Sequence, residues 1–341
     1  MNVIRKHKAI VGIGAAMGVV LIWAASSYMM QTPQNAPQRD QQPPAATVAG
    51  EGSLVTMMNE QGMTESEIGT VGPDRSFVTS GLPLPPPGTP LKEEYEELSR
   101  RAKAGDDAAS CRLSADLWRC SQLPKGLAIE DQALTRAAQM PATGSVLADA
   151  VDDAVKLRMQ VSEDEKRCEG FEVPSPHAAW DFLLMAAERG NVRAMAQLAI
   201  APPLDEQDFL QSVDEWQKYR RVAGKYLKRA AAAGDPFALY NLWWAYAGYP
   251  GPGGTPVITP NTYLARVYAH ALANIGDSKI VATMQRYLQQ TQASVTSSDD
   301  ARARDDGLSI AKVGFAHVRG ASLHTLPSLD GYCDDQRLSN R

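Results

Sequence analysis

From Leu91 onward, apolar residues recur at intervals of three and four, the spacing that places them on one face of a helix. Alternating β-branched runs bounded by turn residues are nearly absent over the same stretch, so the pattern predicts an all-α body. Two Thr-Pro pairs, Thr89-Pro90 and Thr259-Pro260, predict helix starts, because threonine caps free N–H groups and proline is tolerated in the first helical turn. Leu123-Pro124-Lys125-Gly126 predicts a break. Helical patterning resumes near 127–140 and 145–168, so the spacing predicts a helical hairpin inserted at 123–168.

Four segments share a frame: RAKAGDDAASCRL, AAERGNVRAMAQL, AAAAGDPFALYNL and ALANIGDSKIVATM, with glycines at Gly105, Gly190, Gly234 and Gly276. In the first three, an alanine follows four residues later (Ala109, Ala194, Ala238) and a leucine eight later (Leu113, Leu198, Leu242). Positions four and eight share one helix face. Small alanines allow antiparallel helices to approach closely, the glycine supplies a left-handed C-terminal cap, and Asp106, Asn191, Asp235 or Asp277 can cap the next helix. The last two glycine intervals are 44 and 42 residues, the period of a two-helix repeat, whereas the first is 85 and holds the insertion. Ile280 and Met284 stand where the fourth segment would carry alanine and leucine, which marks it as a capping unit.

The residues LKRAAAAGDPFALYNLWWAYAG and YLARVYAHALANIGD resemble the SEL-one-like repeat, a tetratricopeptide-type hairpin, at Ala230, Ala231, Gly234, Ala238, Leu242, Tyr246 and Gly248. About half the chain carries the likeness. It implies a right-handed α-solenoid of stacked antiparallel hairpins that binds proteins or peptides without catalytic machinery of its own. The repeat body is expected over 90–290, followed by a C-terminal helix and tail over 291–341.

Ahead of that body, the basic stretch MNVIRKHK (1–8) precedes an uncharged apolar run over 9–30. A span needs about 20 apolar residues, and the basic flank stays cytoplasmic, so the run predicts a single transmembrane helix with the bulk of the chain in the periplasm. Trp23 and Tyr28 suit the interface. The alternative is a cleavable signal peptide processed near Ala24-Ala25-Ser26, but the run exceeds the usual apolar length of about 7–15 residues. Residues 31–89, rich in Pro and Gln and ending in LPLPPPGTP, read as a disordered spacer that stiffens toward the first helix.

Charge narrows the partners. The net charge is −5, and Arg5, Lys6 and Lys8 offset acids elsewhere, so no basic stripe is left for nucleic acid. Acids and bases mixed along a helical stretch, as over 163–167, read as solvated helix faces. Four cysteines, Cys111, Cys120, Cys168 and Cys333, all follow the apolar run, and their even number fits disulfides of an oxidising compartment. On one intact helix Cys111 and Cys120 would stand about 13.5 Å apart, too far to bond. The out-and-back hairpin favours Cys120 with Cys168, leaving Cys111 for Cys333, or Cys333 free.

Candidate chemistry is sparse. No CxxC or HxxxH spacing supports zinc, the Pro250–Gly254 turn lacks the lysine of a phosphate loop, and the acid clusters lack a calcium-loop pattern, so no metal or cofactor is expected. His177, His270, His317 and His324 are scattered, and no serine sits in a nucleophile elbow, so no catalytic residue is assigned. Aromatics crowd 216–268. Trp216, Tyr219, Arg220, Trp243 and Trp244 are the candidate binding residues, since exposed aromatics beside arginine suit a protein or peptide groove. The expected function is a non-enzymatic, membrane-tethered protein- or peptide-binding scaffold; the alternative is an envelope hydrolase, or a modulator of one, with a dispersed site.

Overall fold

The computed structural model describes residues 83–86, 88–139, 145–206, 209–254, 256–318 and Cys333. The chain divides into Met1–Gln61 and Gly62–Arg341, and all described residues belong to the second. The expected transmembrane helix, its basic flank and most of the spacer lie outside the described residues; within them no helix is long and apolar enough to cross a membrane.

The described residues form α-helices and short 3-10 turns, with no β-strand among them. The helices are α1 (Leu91–Lys103), α2 (Asp107–Gln139), α3 (Ser145–Cys168), α4 (Ala178–Glu188), α5 (Val192–Ile200), α6 (Val213–Ala232), α7 (Pro236–Tyr246), α8 (Thr262–Ile275), α9 (Ser278–Gln290) and α10 (Ser297–Gly314). Neighbours in sequence pack as pairs: α1 on α2, α4 on α5, α6 on α7, and α8 on α9. Each pair meets the next, α2 on α4, α5 on α6 and α7 on α8, while α10 lies along α8 and α3 returns along α2. A pair too small to bury its own apolar stripe is completed by its neighbour.

Three of the four frame glycines turn the chain in the same way. Gly105, Gly190 and Gly234 have φ of 113°, 96° and 90°, a region costly for any side chain. At each, two bonds close the preceding helix: at Gly190, its own N–H donates to Ala187 O at 3.1 Å and Asn191 N–H to Ala186 O at 3.1 Å, a Schellman closure. The next residue then caps the following helix, Asp106 accepting from Ala109 N–H at 3.0 Å, Asn191 from Ala194 at 2.9 Å and Asp235 from Ala238 at 2.8 Å. Ala109, Ala194, Ala238, Leu113, Leu198 and Leu242 are all fully buried. Local turn chemistry and inter-helix packing therefore come from one nine-residue frame.

Four local expectations fail. Gly276 is extended, with φ −75° and ψ 166°, so it provides no left-handed cap. A Cβ there would meet Ile280 Cγ2 at 2.3 Å, so close approach requires glycine instead; Ile280 and Met284 fill the alanine and leucine places and are fully buried. Thr89 does not cap α1. Its hydroxyl donates to Pro86 O at 3.0 Å, and Pro90 occupies the cap place. Thr259-Pro260 does not begin α8, because Asn261 accepts from Leu264 N–H at 3.0 Å and starts the helix later. Finally, Pro124 lies inside α2, which runs unbroken from Asp107 to Gln139. Proline removes one helical hydrogen bond, but the chain on either side is held against α3 by the Cys120–Cys168 bond and by Arg158, which donates to Glu130 at 3.0 Å. The inserted hairpin is thus the second half of α2 with α3.

Candidate binding surface and buried charge clusters

The candidate aromatic residues divide by depth. On α6, Trp216 and Tyr219 are buried, their rings meeting edge-on at 5.5 Å. Tyr219 donates its hydroxyl to Ala199 O at 3.1 Å, and burial raises its pKa far above the usual phenol value. The Pro250–Gly254 turn closes over Trp216: Gly253 has φ 67°, a Cβ on it would come within 3.1 Å of the indole ring, and Glu206 accepts its N–H at 2.8 Å. This turn is a lid on core aromatic residues.

Trp243, on α7, is also buried, edge-on to Tyr287 at 5.4 Å and to Trp244 at 6.0 Å. Burial pushes the Tyr287 phenol up to about 12. The groove expected to use Trp216, Tyr219 and Trp243 is therefore not a groove at those residues, since the rings that would line it form the seams between helix pairs.

Trp244 differs. Adjacent helix positions lie about 100° apart, so the ring beside a buried Trp243 turns outward. It is half-buried, stacks on Tyr249 with ring centroids 4.2 Å apart and planes 27° from parallel, and donates Nε1–H to Pro250 O at 3.2 Å. Arg220 is exposed on α6, and no ion pair or ring contact among the described residues engages it. The structure thus joins Trp216 to Tyr219, and Trp243 to Trp244 and Tyr249, but brings no ring contact between the two groups.

The cysteines are bonded as Cys120–Cys168, with Cα atoms 5.4 Å apart, and Cys111–Cys333, with Cα atoms 5.2 Å apart. Among the described residues no cysteine is free. The first joins α2 to the end of α3. The second fastens the tail residue to α2, where Cys333 helps line a cleft with Ser114, Trp118, Leu183, Gln197 and Pro203.

Two buried ion clusters escaped the sequence reading. At the first, Arg167 of α3 donates Nε–H to Asp116 Oδ1 at 3.0 Å and also pairs with Glu94 of α1 and Asp116 Oδ2 through Nη2. Arg112 donates to Asp116 at 2.7 Å, and Arg119 bridges Asp116 and Asp164 at 3.1 Å each. Glu94, Arg112, Asp116 and Arg167 are all buried. Desolvation raises the Glu94 pKa, opposed by the Arg167 charge and reinforced by Asp116. At the second, buried Arg266 of α8 donates to Leu288 O at 2.8 Å, to Thr291 Oγ1 at 2.6 Å and to Asp300, tying the end of α9 and the start of α10 to α8. The Arg266 hydrogen bond holds the Asp300 carboxyl below its usual value. His270 stands 3.5 Å from Asp300, and burial lowers its pKa despite that neighbour.

Each arginine has acidic or carbonyl partners on neighbouring helices, so both arrangements act as fastenings between helices. No group of His, Cys, Asp and Glu among the described residues is arranged to hold a metal ion. No family model, curated protein or solved structure matches the chain.

Proposed function

We propose that this chain is a non-enzymatic scaffold of the cell envelope, anchored by its N-terminal apolar segment and presenting a right-handed solenoid of SEL-one-like hairpins to protein or peptide partners in the periplasm. The observation that carries the reading is the outward-facing pair Trp244 and Tyr249 on a framework of helix pairs whose seams are otherwise closed by buried alanine, leucine and aromatic side chains. Rings held rigid by stacking lose little entropy on contact. Two disulfides suit an oxidising compartment.

A photo-reactive amino acid at position 244 or 220, activated in intact cells, tests this. Discrete protein adducts at these positions, absent when the probe replaces a remote exposed residue such as Lys312, are the expected outcome. Absence of adducts at both positions counts against the scaffold reading. Fusion of a periplasm-active reporter after residue 341 tests the compartment, and an inactive reporter overturns it.

A further inference from the structure

The net charge of −5 conceals a basic run on α6. From Trp216 to Gly234 the chain carries Lys218, Arg220, Arg221, Lys225, Lys228 and Arg229 and no acid. Lys218, Arg221, Lys225 and Lys228 follow one another at steps of three, four and three, which places them within about 80° of each other around the helix. The buried residues Tyr219, Ala223, Leu227 and Ala230 take the opposite face, where Tyr219 reaches Ala199 of α5. Arg221 and Lys225 are exposed, and Lys218 and Lys228 are partly so. Acids near α6 lie toward its N-terminal half. Glu188 of α4 stands 3.5 Å from Lys218, whose charge also acts on Asp181, and Glu215 pairs with His177 at 3.1 Å. Among the described residues nothing pairs with Arg221, Lys225 or Lys228, while Arg229 is turned onto the Tyr226 ring at 6.0 Å. Lys228 is partly buried without a counter-ion, and desolvation lowers its pKa.

We propose that the edge formed by Arg221, Lys225 and Lys228 docks an acidic segment of a partner protein. The edge runs about 10 Å along α6, and carboxylates three or four residues apart on a helix laid beside it repeat the intervals of the bases. Asp181, Glu188 and the exposed Asp214 border its N-terminal end, so a planar anionic bilayer laid on the edge meets acids as well as bases, whereas a narrow segment over Arg221 to Lys228 meets bases alone. The rings of α6, Trp216, Tyr219 and Tyr226, are buried, so no nucleobase can stack beside the edge, which disfavours a single nucleic-acid strand. Exposed ion pairs are individually weak and screened, so the contact is reversible and salt-sensitive. The proposal rests on the scaffold reading for the existence of a protein partner, but it uses a helix face other than that of Trp244 and Tyr249.

Fluorescence anisotropy of the full chain in neutral detergent micelles, with a fluorescein-labelled peptide of four Glu-Ala-Ala-Ala repeats as the probe, tests the proposal. Wild type is expected to bind this peptide at low salt, to release it as salt rises, and to ignore the matching Gln-Ala-Ala-Ala peptide. Arg221→Glu combined with Lys225→Glu should weaken binding about tenfold or more, while Lys312→Glu, at a remote exposed base on α10, leaves it within about twofold. Both stripe positions are exposed, and unchanged helical circular dichroism confirms intact variants. Absence of binding at low salt, equal binding of the glutamine peptide, or an equal loss in Lys312→Glu overturns the proposal. So does tighter binding to phosphatidylglycerol vesicles or to oligothymidylate that the double variant abolishes, which would assign the edge to phosphate. Because the probe is defined and the chain purified, failure here leaves adducts at position 244 to be judged separately, and absent adducts in cells do not alter the affinity measured.

Discussion

The helices from α4 to α9 and the three that precede them hold together by different physics. In the repeat pairs, fully buried Ala194, Ala230, Ala238, Ala265 and Ala269 let backbones approach, and Leu198, Leu242, Trp216 and Trp243 fill the seams. In α1–α3 the first pair keeps the same alanine and leucine, but α3 is joined to it through Arg167, Asp116 and Glu94 and by Cys120–Cys168. Close packing tolerates many apolar choices of the right size, whereas a buried charge cluster tolerates few, because removing one member strands the rest. The contrast teaches that an inserted element without the repeat's apolar frame can be fastened by directional contacts instead.

The contrast is most sharply broken by Arg167→Met. With Asp116 and Glu94 left buried and short of a partner, the full chain should lose about 3–5 kcal/mol of stability by denaturant unfolding. Replacing Cys120 and Cys168 together by serine opens a loop spanning 48 residues and should cost about 3–4 kcal/mol, with the loss appearing first in α3 by hydrogen exchange. Away from that region, Gly307→Ala probes packing alone. A Cβ there would meet Val267 O at 2.5 Å and His270 Cβ at 2.7 Å, so α10 must retreat from α8; the expected loss is about 1–3 kcal/mol, against little change for Gly314→Ala, whose Cβ would meet nothing within 4 Å.

The smallest effect is a pH dependence at the α8–α10 fastening. The folded His270 pKa lies below its ordinary value of 6.5, so the unfolded chain takes up the proton first, and stability declines as pH falls below 6.5 until the folded histidine is also protonated. Asp300, held below its ordinary 3.8, adds a second loss as pH falls through and below that value. Thermal unfolding followed over this range should show both steps in wild type and only the lower one in His270→Asn.

The three matching glycine turns were legible because one short frame sets both backbone and packing: Gly105, Gly190 and Gly234 require a left-handed φ, and the alanine four residues later is fully buried. Single-residue signals were weaker guides. Thr-Pro predicts a cap, yet Asn261 has the better geometry at α8, and Pro124 breaks nothing because tertiary contacts hold both sides of it. The charge clusters were illegible for another reason. Arg167 ends a charged run, Glu163-Asp164-Glu165-Lys166-Arg167, with the signature of a solvated face, and only contacts 51 and 73 residues away bury it. Likewise His270 and Asp300, scattered in sequence, meet across two helices. Trp216, Tyr219 and Trp243 looked like a surface because aromatic crowding marks a core seam and a binding groove alike; Trp244 was separable from Trp243 only through helical phase.

A thermodynamic cycle between Arg167→Met and Asp116→Leu in the full chain addresses the central contrast most directly. If the buried ion cluster fastens α3 to α1 and α2, the two substitutions are strongly non-additive, with a coupling of about 2 kcal/mol or more. Coupling near zero, with each change costing only what a surface substitution costs, would contradict the account.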